Sequence, residues 1–505
     1  MMKQFIITSF IMAFSAGMAA AGDSIQVKHQ ALVDYFKISN EVLSKAWNNP
    51  ALMETAHGQS MTEMGITARL EKRDQAFVLQ KGTGNFLVDV EARSFVRLSA
   101  KSAVWGRASY MTGKNRDIKW NSVADYDILE PDILGDTVGG DTRREQYVFE
   151  GGYSTRLKRW HLGGEMLFRA EQEYRKVDPR MRSIVSDLSL RAGGAIDVSR
   201  HMIGLSVQGN IYRQTNSVDF YKPLGSVPEY QLMGLGEVYT RFSGDINDLY
   251  FKGGGIKLQL DVKPISNGVV ATAWASQHHY ERVARMLNSL PLTTLYNKEV
   301  GVRAGWKDRC SLDFAVWGDF KFNRRSSDQH IAGTSSSQVY PVIAHLTMYR
   351  NYIMQSSVSA VVGRDGITTW NVMASAGYIY NRHYYEYPRR MMKHGHFFAQ
   401  LKGQVMRQVS KSWTLDAQLA GSHYACTTSD MLMPLADMEP HFIDMIDYNY
   451  KFLGAHYTNV TASLKTYYHI PRSRYSLYAL VSYGATLCSR DAHQHNITVS
   501  LGVNL

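Results

Sequence analysis

The sequence is poor in the residues that build several common protein classes. It has only three cysteines and 12 prolines among 505 residues. The cysteines, Cys310, Cys426 and Cys488, are too few and too scattered for a disulfide framework or a closed zinc site. Beyond the N-terminus, no stretch approaches the roughly 20 uninterrupted apolar residues of a membrane-spanning helix. These absences exclude a disulfide scaffold and a helical membrane protein.

The residues that are abundant argue for a folded chain. Apolar residues make up 45% of the sequence and aromatic residues 11%, which is enough for a large buried surface. The chain also has 40 glycines, 30 tyrosines and a formal net charge of +11. Its length alone would suggest about three domains of roughly 150 residues each.

Residues 1–21 have the pattern of a secretory signal peptide. Lys3 supplies a positive charge, residues 5–18 are apolar, and residues 18–22 form a small-residue cleavage region. Cleavage after Ala20 and cleavage after Ala21 both fit this pattern. We therefore expect the mature chain to leave the cytoplasm.

Residues 22–60 are predicted to form a periplasmic or lumenal segment that contains one amphipathic helix. Apolar residues recur there at spacings of three and four, which is typical of a helix with one buried face. Pro50 ends the pattern, because proline cannot continue a helix and disfavours it just before itself. We expect this to be the one substantial helix of the mature chain. The apolar positions are Leu32, Tyr35, Phe36, Val42, Leu43, Ala46 and Trp47.

From about Met61 to the C-terminus, apolar and polar residues alternate with a period of two. This period indicates strands with one apolar and one polar face. Many of the runs reach ten residues or more, whereas strands of soluble proteins usually have five or six. The clearest runs lie at residues 160–171, 187–198, 312–322, 475–487 and 497–505.

Long strands suit a transmembrane β-barrel better than the alternative, a secreted β-sandwich or propeller. Short connections alternate with long polar ones, as expected for turns at one end of a barrel and loops at the other. The last strand can close against the first, which leaves no backbone group unpaired in lipid. We predict an up-and-down antiparallel transmembrane barrel of about 18 strands, within 16 to 20, over residues 61–505, with an aqueous lumen or a plug. The long connections are 113–145, 175–182, 217–234, 283–294, 323–339, 382–393 and 427–449.

Several motifs resemble an uncharacterised family of outer-membrane β-barrel proteins of Bacteroidota-type bacteria. They lie at residues 104–110, 136–141, 151–153, 174–180 and 234–242. The resemblance implies the fold and an outer-membrane location, but that family carries no assigned activity.

The segment Trp47-Asn48-Asn49-Pro50-Ala51-Leu52 is also similar to the Asn-Pro-Ala segment of long-chain fatty-acid-type transporters. In those transporters the N-terminal segment plugs the lumen. This second resemblance implies a lumen plug here. Its candidate residues are Leu32, Tyr35, Phe36, Leu43, Trp47, Asn49 and Pro50.

The polar face of the predicted strands carries charges of both signs. Such residues form either a polar constriction that selects solutes or a self-neutralising network that stabilises the wall. Both interpretations stay open from the sequence. The lumen-facing candidates are Glu165, Arg169, Asp187, Arg191, Lys257, Asp261, Glu299, Arg303, Asp313, Asp319 and Lys321.

Basic residues concentrate in the predicted long loops. If these loops face outward, they meet lipid and lipopolysaccharide phosphates or an anionic solute, or they are simply solvated. A lipid-embedded barrel gives little reason to expect nucleic acid as a partner. The outer-loop candidates are Arg143, Arg144, Arg180, Arg182, Arg324, Arg325, Arg389 and Arg390.

Motifs for chemistry are weak. The histidine pairs 278–279, 394–396 and 493–495 have no carboxylate-rich partner set, and no nucleophile elbow is present. We therefore predict no catalytic residue, metal site or cofactor. The functional hypothesis is passive passage of small solutes through an outer-membrane barrel. The alternatives are a hydrophobic-compound transporter with an N-terminal plug, a surface-binding or adhesive barrel with a blocked lumen, and a membrane-embedded hydrolase.

Overall fold

The computed structural model describes residues 25–221, 228–242, 248–336, 339–434 and 438–505. The predicted signal peptide, residues 1–21, lies outside the described residues. None of the helices in these ranges is both long enough and apolar enough to cross a membrane.

The wall is a single closed sheet of 18 antiparallel strands, which confirms the predicted fold and strand number. Each strand pairs with its neighbours in the wall, and the first pairs with the last, with Ile66 opposite Leu501. Closure matters because every backbone group of a lipid-facing strand must find its partner inside the protein. The wall strands are β1 (Met61–Arg73), β2 (Gly84–Ser99), β3 (Ser102–Ile118), β5 (Gly140–Leu157), β6 (Trp160–Arg175), β7 (Arg180–Val198), β8 (His201–Asp219), β11 (Asp248–Pro264), β12 (Gly268–Ala284), β13 (Leu290–Arg309), β14 (Asp313–Ala332), β15 (Val342–Arg364), β16 (Thr368–Tyr385), β17 (Arg390–Gln408), β18 (Trp413–Leu432), β19 (Tyr457–His469), β20 (Ser476–Cys488) and β21 (Ala492–Asn504).

The period-two pattern sets the two faces of this wall. Apolar side chains such as Ile66, Leu190 and Leu501 point outward and are more than half exposed. The alternate positions point into the lumen and carry the polar residues. An outer face of this kind is suited to lipid.

The two ends of the barrel differ. Short turns join the strands at one end, which also holds the start of β1 and the C-terminus. At the other end, longer connections fold inward, and three short strands in them, β4 (Leu134–Gly135), β9 (Tyr230–Gly234) and β10 (Glu237–Val238), form a small separate sheet. Strands β5, β7, β14, β17 and β18 extend into the predicted long connections.

The predicted N-terminal helix is wrong in its bounds. The α-helix α1 is Ile25–Phe36, and three 3₁₀ turns follow at Ile38–Leu43, Ala46–Asn48 and Pro50–Thr55. Proline does not end the segment, because it occupies the first position of the last turn, where its missing N–H is not needed. The Asn49 side chain caps that turn by accepting a hydrogen bond from the Ala51 N–H at 3.0 Å.

The expectation of a single substantial helix is also wrong. A short helix α2 (Tyr126–Leu129) lies in the connection after β3, and a longer helix α3 (Pro440–Leu453) precedes β19. The signal for α3 was present in the sequence: Pro440 at the helix start, Phe442, Met445 and Ile446 on one face, and Gly454 just after the end.

Candidate functional site: a lumen closed at both ends

The N-terminal segment fills the lumen at the short-turn end, and we call residues 28–58 the plug. Leu32 and Val33 of α1 pack against wall residues that include Tyr467. The next turn buries Val42 and Leu43 against a second wall cluster. Tyr35 stacks on His57 within the plug, with ring centroids 3.8 Å apart. Phe36 faces Tyr467, and Trp47 lies beside His57 and the second cluster. The plug therefore has apolar contacts with distant parts of the wall.

Asn49 and Pro50 dock in a cradle of glycines on three adjacent strands. A Cβ atom built on Gly193 would lie 2.0 Å from Asn49 Oδ1, and one on Gly204 would lie 2.7 Å from Asn49 Nδ2. A Cβ on Gly163 would lie 2.4 Å from the Pro50 backbone. The wall thus lacks side chains where the plug approaches most closely. The cradle joins β6, β7 and β8.

Polar side chains of the wall fix the plug backbone from several directions. Arg303 donates to the Glu41 carbonyl at 2.7 Å, and Arg191 donates to the Asn48 carbonyl at 2.8 Å. Arg97 donates to the carbonyls of Glu54 and His57 at 2.7 and 2.8 Å. These guanidinium groups satisfy carbonyls that the irregular turns of the plug leave free.

Acidic wall residues hold plug side chains. Asp261 accepts from Asn49 Nδ2 at 3.1 Å. Lys37 forms ion pairs with Asp313 at 3.2 Å and Asp365 at 3.0 Å, and all three side chains are largely buried. These contacts neutralise the buried charge of Lys37 and hold the plug in one orientation at the short-turn end of the barrel.

A buried imidazole also joins plug and wall. His161 Nδ1 lies 2.8 Å from the Glu54 carboxylate, and His161 Nε2 lies 2.9 Å from Asp197 on the wall. Elsewhere in the plug, burial lowers the pKa of His57 below its ordinary value. His161 and Glu54 could not be recognised as partners from the sequence, because no local motif connects them.

The opposite end is closed by inward-folded connections, which we call the cap: residues 119–139, 228–242 and 438–456. Its apolar side chains form one buried cluster with the wall, to which each part of the cap contributes, for example Leu129, Leu232 and Ile446. In the cap, burial and the nearby Asp136 carboxylate raise the pKa of Glu229 to about 8. The long connections therefore close the lumen, whereas the sequence had suggested outward loops.

The eight arginines predicted in outer loops require a correction. Seven of them lie in wall strands, and Arg389 lies in the turn before β17. Adjacent arginines in a strand face opposite sides, so the pairs 143–144 and 324–325 are each divided between the two faces. Arg180 and Arg182 are two positions apart and share the outer face. Arg143, Arg182, Arg324 and Arg389 are exposed, whereas Arg144, Arg325 and Arg390 bind Glu171, Glu130 and Glu237 respectively, and Arg180 pairs with Asp178.

A polar cavity of about 400 Å³ lies on the lumen side of β1, β2, β3, β5 and β6. It is placed between Phe95, which contacts the plug, and Arg169, which binds Asp125 of the cap through two hydrogen bonds of 2.8 and 2.6 Å. Its lining includes Arg69, Asp89, Glu91, Arg107, Gln146 and Arg169. Charges of both signs thus face a space that neither plug nor cap fills.

The structure places all eleven predicted lumen-facing residues on the inner side of the wall. Most are paired there: Arg303 with Asp319 at 2.8 Å, Arg191 with Glu165 at 3.0 Å. The remaining contacts are Asp187 with Arg169 at 3.6 Å, Lys321 with Glu299 at 4.0 Å, and Lys257 over the Trp274 ring at 5.7 Å.

Within the part of the chain that the structure describes, no three His, Cys, Asp or Glu side chains are placed to hold a metal ion. The three cysteines are free.

The closed wall, its apolar outer face and its polar interior define an outer-membrane-type β-barrel. More particularly, the chain belongs to the family of unknown function DUF6850, whose model matches residues 50–505. No curated protein matches the sequence significantly.

Three solved structures are similar to this chain at low identity. A variant of the ferric enterobactin receptor PfeA from Pseudomonas aeruginosa is 7% identical, with 88% of this chain and 80% of that chain covered and a TM-score of 0.40. The ferric preacinetobactin receptor BauA from Acinetobacter baumannii is 8% identical, with coverages of 87% and 80% and a TM-score of 0.40. The CymD monoaromatic hydrocarbon channel is 8% identical, with coverages of 93% and 93% and a TM-score of 0.31.

Proposed function

We propose that the protein is a gated transporter of small polar solutes in an outer membrane, reached after signal-peptide export. In this proposal the plug and the cap are the two gates, and the exposed arginines at the outer end contact lipid or lipopolysaccharide phosphates. The cavity between the gates is the solute compartment.

The observation that carries the proposal is that the wall closes without the plug. Strand β1 pairs directly with β21 over eleven residue pairs, from Glu63 opposite Asn504 to Arg73 opposite Gln494. The plug contributes no strand, so its departure breaks no hydrogen bond of the wall. When the plug leaves, the wall arginines that hold it, such as Arg303 and Arg191, can donate their hydrogen bonds to water and no longer to the plug carbonyls.

The charged lining favours a polar solute. A hydrophobic-compound transporter would need an apolar path, whereas Arg69, Asp89, Glu91 and Arg107 face the cavity. Taking these charges out of water would make the path costly for an apolar molecule. Hydrophobic-compound transport is the second candidate, because long-chain fatty-acid-type transporters also have an N-terminal segment that plugs the lumen.

Planar-bilayer conductance tests the proposal with four forms of the protein. They are the full chain, a form lacking residues 28–58, a form with residues 120–136 replaced by a short Gly-Ser linker, and a form with both changes. We expect little conductance from the full chain, intermittent opening from each single change, and a stable pore from the double change.

The fold of each form is checked by its shift in gel migration on boiling. A doubly changed barrel that is folded and yet does not conduct would contradict the transporter and favour a surface-binding barrel with a blocked lumen. Liposome swelling with a sugar and with an alkyl alcohol then separates polar from hydrophobic solutes.

A further inference from the structure

Wall arginines hold the cap at widely separated positions, and several of the groups they hold are acids of the cap. Arg175 on β6 donates to Asp136 at 2.8 Å, and both side chains are almost completely buried. Arg325 on β14 pairs with Glu130 at 3.2 Å. Arg390 on β17 pairs with Glu237 at 3.1 Å and also donates to a cap carbonyl at 2.9 Å.

A fourth arginine, Arg282 on β12, is fully buried and binds backbone carbonyls of two parts of the cap. Its Nη1 lies 3.0 Å from the Leu232 carbonyl and 3.4 Å from the Ile133 carbonyl. Among the described residues, its Nε and Nη2 donors have no hydrogen-bond partner, and neither do Nε and Nη2 of Arg175. These guanidinium groups therefore have donors to spare while the cap is in place.

The pairing of these arginines differs from that of the lower lumen. Near the plug, wall cations also pair with wall acids: Arg303 lies 2.8 Å from Asp319 of the wall and only 3.9 Å from Glu41 of the plug. In the described ranges, the ion pairs of Arg175, Arg325 and Arg390 are all with cap residues, and Arg282 has none. If the cap moves, four guanidinium groups on four strands lose their cap acceptors together, and Arg175 keeps only the Pro179 carbonyl at 3.3 Å.

We propose that these four arginines, Arg175, Arg282, Arg325 and Arg390, are separate binding positions for anionic solutes, which the cap occupies in the closed state. A guanidinium group presents paired donors that match the oxygens of a carboxylate or phosphate. The cap carboxylates of Asp136, Glu130 and Glu237 stand where the oxygens of the solute bind. This inference rests on the proposed transport function and specifies its substrate class: a small soluble carboxylate or phosphate.

These positions also give the solute a means of opening the barrel. A ligand shifts a conformational equilibrium only by binding one state better than the other. An anion binds the arginines only after the cap carboxylates have left them. The solute therefore stabilises the open cap, whereas a neutral solute of the same size does not.

Cysteine labelling of the cap tests this mechanism without any need for transport. Val123 lies in the cap with a side chain that is 1% exposed. The variant Val123→Cys is prepared in a chain in which Cys310, Cys426 and Cys488 are replaced by Ala. The rate of reaction with a charged maleimide then reports how often the cap opens. We expect inorganic phosphate and succinate to raise this rate severalfold and saturably, and sodium chloride at equal ionic strength to have little effect.

The double variant Arg325→Gln/Arg390→Gln should label faster without added anion and lose most of the response to phosphate. The matched control is Arg324→Gln, because Arg324 is exposed and points outward on the same strand. It should behave like the parent. Equal effects of phosphate and chloride, or a full phosphate response in the double variant, would overturn the anion-binding positions.

The two proposals fail separately. A doubly changed barrel that conducts, with no phosphate effect on Val123→Cys labelling, would overturn the anion-binding positions and leave transport standing. A phosphate effect in a barrel that never conducts would overturn transport and leave an anion-binding cap.

Discussion

Replacing Gly193 with alanine should undock the plug while leaving the wall intact. The added Cβ would lie 2.0 Å from Asn49 Oδ1 and 3.1 Å from Pro50 Cδ, so Asn49 cannot remain in its cradle. Gly193 lies within β7, and its φ is not positive, so alanine fits the backbone there. The clash therefore acts on the plug.

The expected magnitude follows from two losses. Overpacking a well-fitted site costs about 1–3 kcal/mol. Losing a hydrogen bond to a charged acceptor, here Asn49 to Asp261, costs about 1.5–3 kcal/mol. Together they weaken docking by roughly 2.5–6 kcal/mol. Since about 1.4 kcal/mol corresponds to a factor of ten, the ratio of undocked to docked plug should rise by a factor of about 60 to about 20,000.

Protease cleavage of the plug and single-channel opening measure this ratio. The matched control is Gly209→Ala on the neighbouring strand β8, because a Cβ there meets no atom within 4 Å. Plug cleavage in Gly193→Ala should exceed that in Gly209→Ala, and both should show the same shift in gel migration on boiling. If the two variants are cleaved at the same rate, the glycine cradle does not hold the plug.

Three further perturbations have defined outcomes. Lys37→Met leaves Asp313 and Asp365 buried without their cation. Because breaking such buried pairs costs about 3–5 kcal/mol, protease cleavage of the plug should rise by at least tenfold. An unchanged cleavage rate would contradict the ion-pair anchor. Phe442→Ala removes a ring that is 3% exposed, which costs about 3–5 kcal/mol, and should speed hydrogen exchange in α3 but not in the wall. Burial lowers the pKa of His57, so protonation of His57 favours the undocked plug. Docking of the plug should therefore weaken as the pH falls below about 6.5. This part of the pH dependence should be absent in His57→Phe.

The wall could be predicted from the sequence because its signal is local. Alternation at residues such as 497–505 reports which side chains face lipid, and the long connections limit the strand count. The ends of the strands were harder to predict, because β5 and β14 continue beyond the clearly alternating stretches as polar, irregularly alternating segments. This is why Arg144 and Arg325 were placed in loops, although they point into the lumen.

The candidate site was predictable only in part. Charges on the inner face followed from the period of two, so Asp261 and Arg303 were identified as lumen-facing candidates. Their partners could not be found, because Asn49 and Asp261 are 212 positions apart and meet only through the register of the closed sheet. Helix α3 could have been recognised from its proline start and apolar spacing.

The sequence by itself determined the wall: a period of two makes one face apolar, and only a closed sheet satisfies the backbone of such strands in lipid. The tertiary structure alone decided what fills the lumen. Plug and cap are held by side chains from many strands, such as Gly193 for the plug and Arg282 for the cap. Their positions depend on how the strands are staggered around the barrel, which is a property of the closed sheet as a whole and not of any short stretch of sequence.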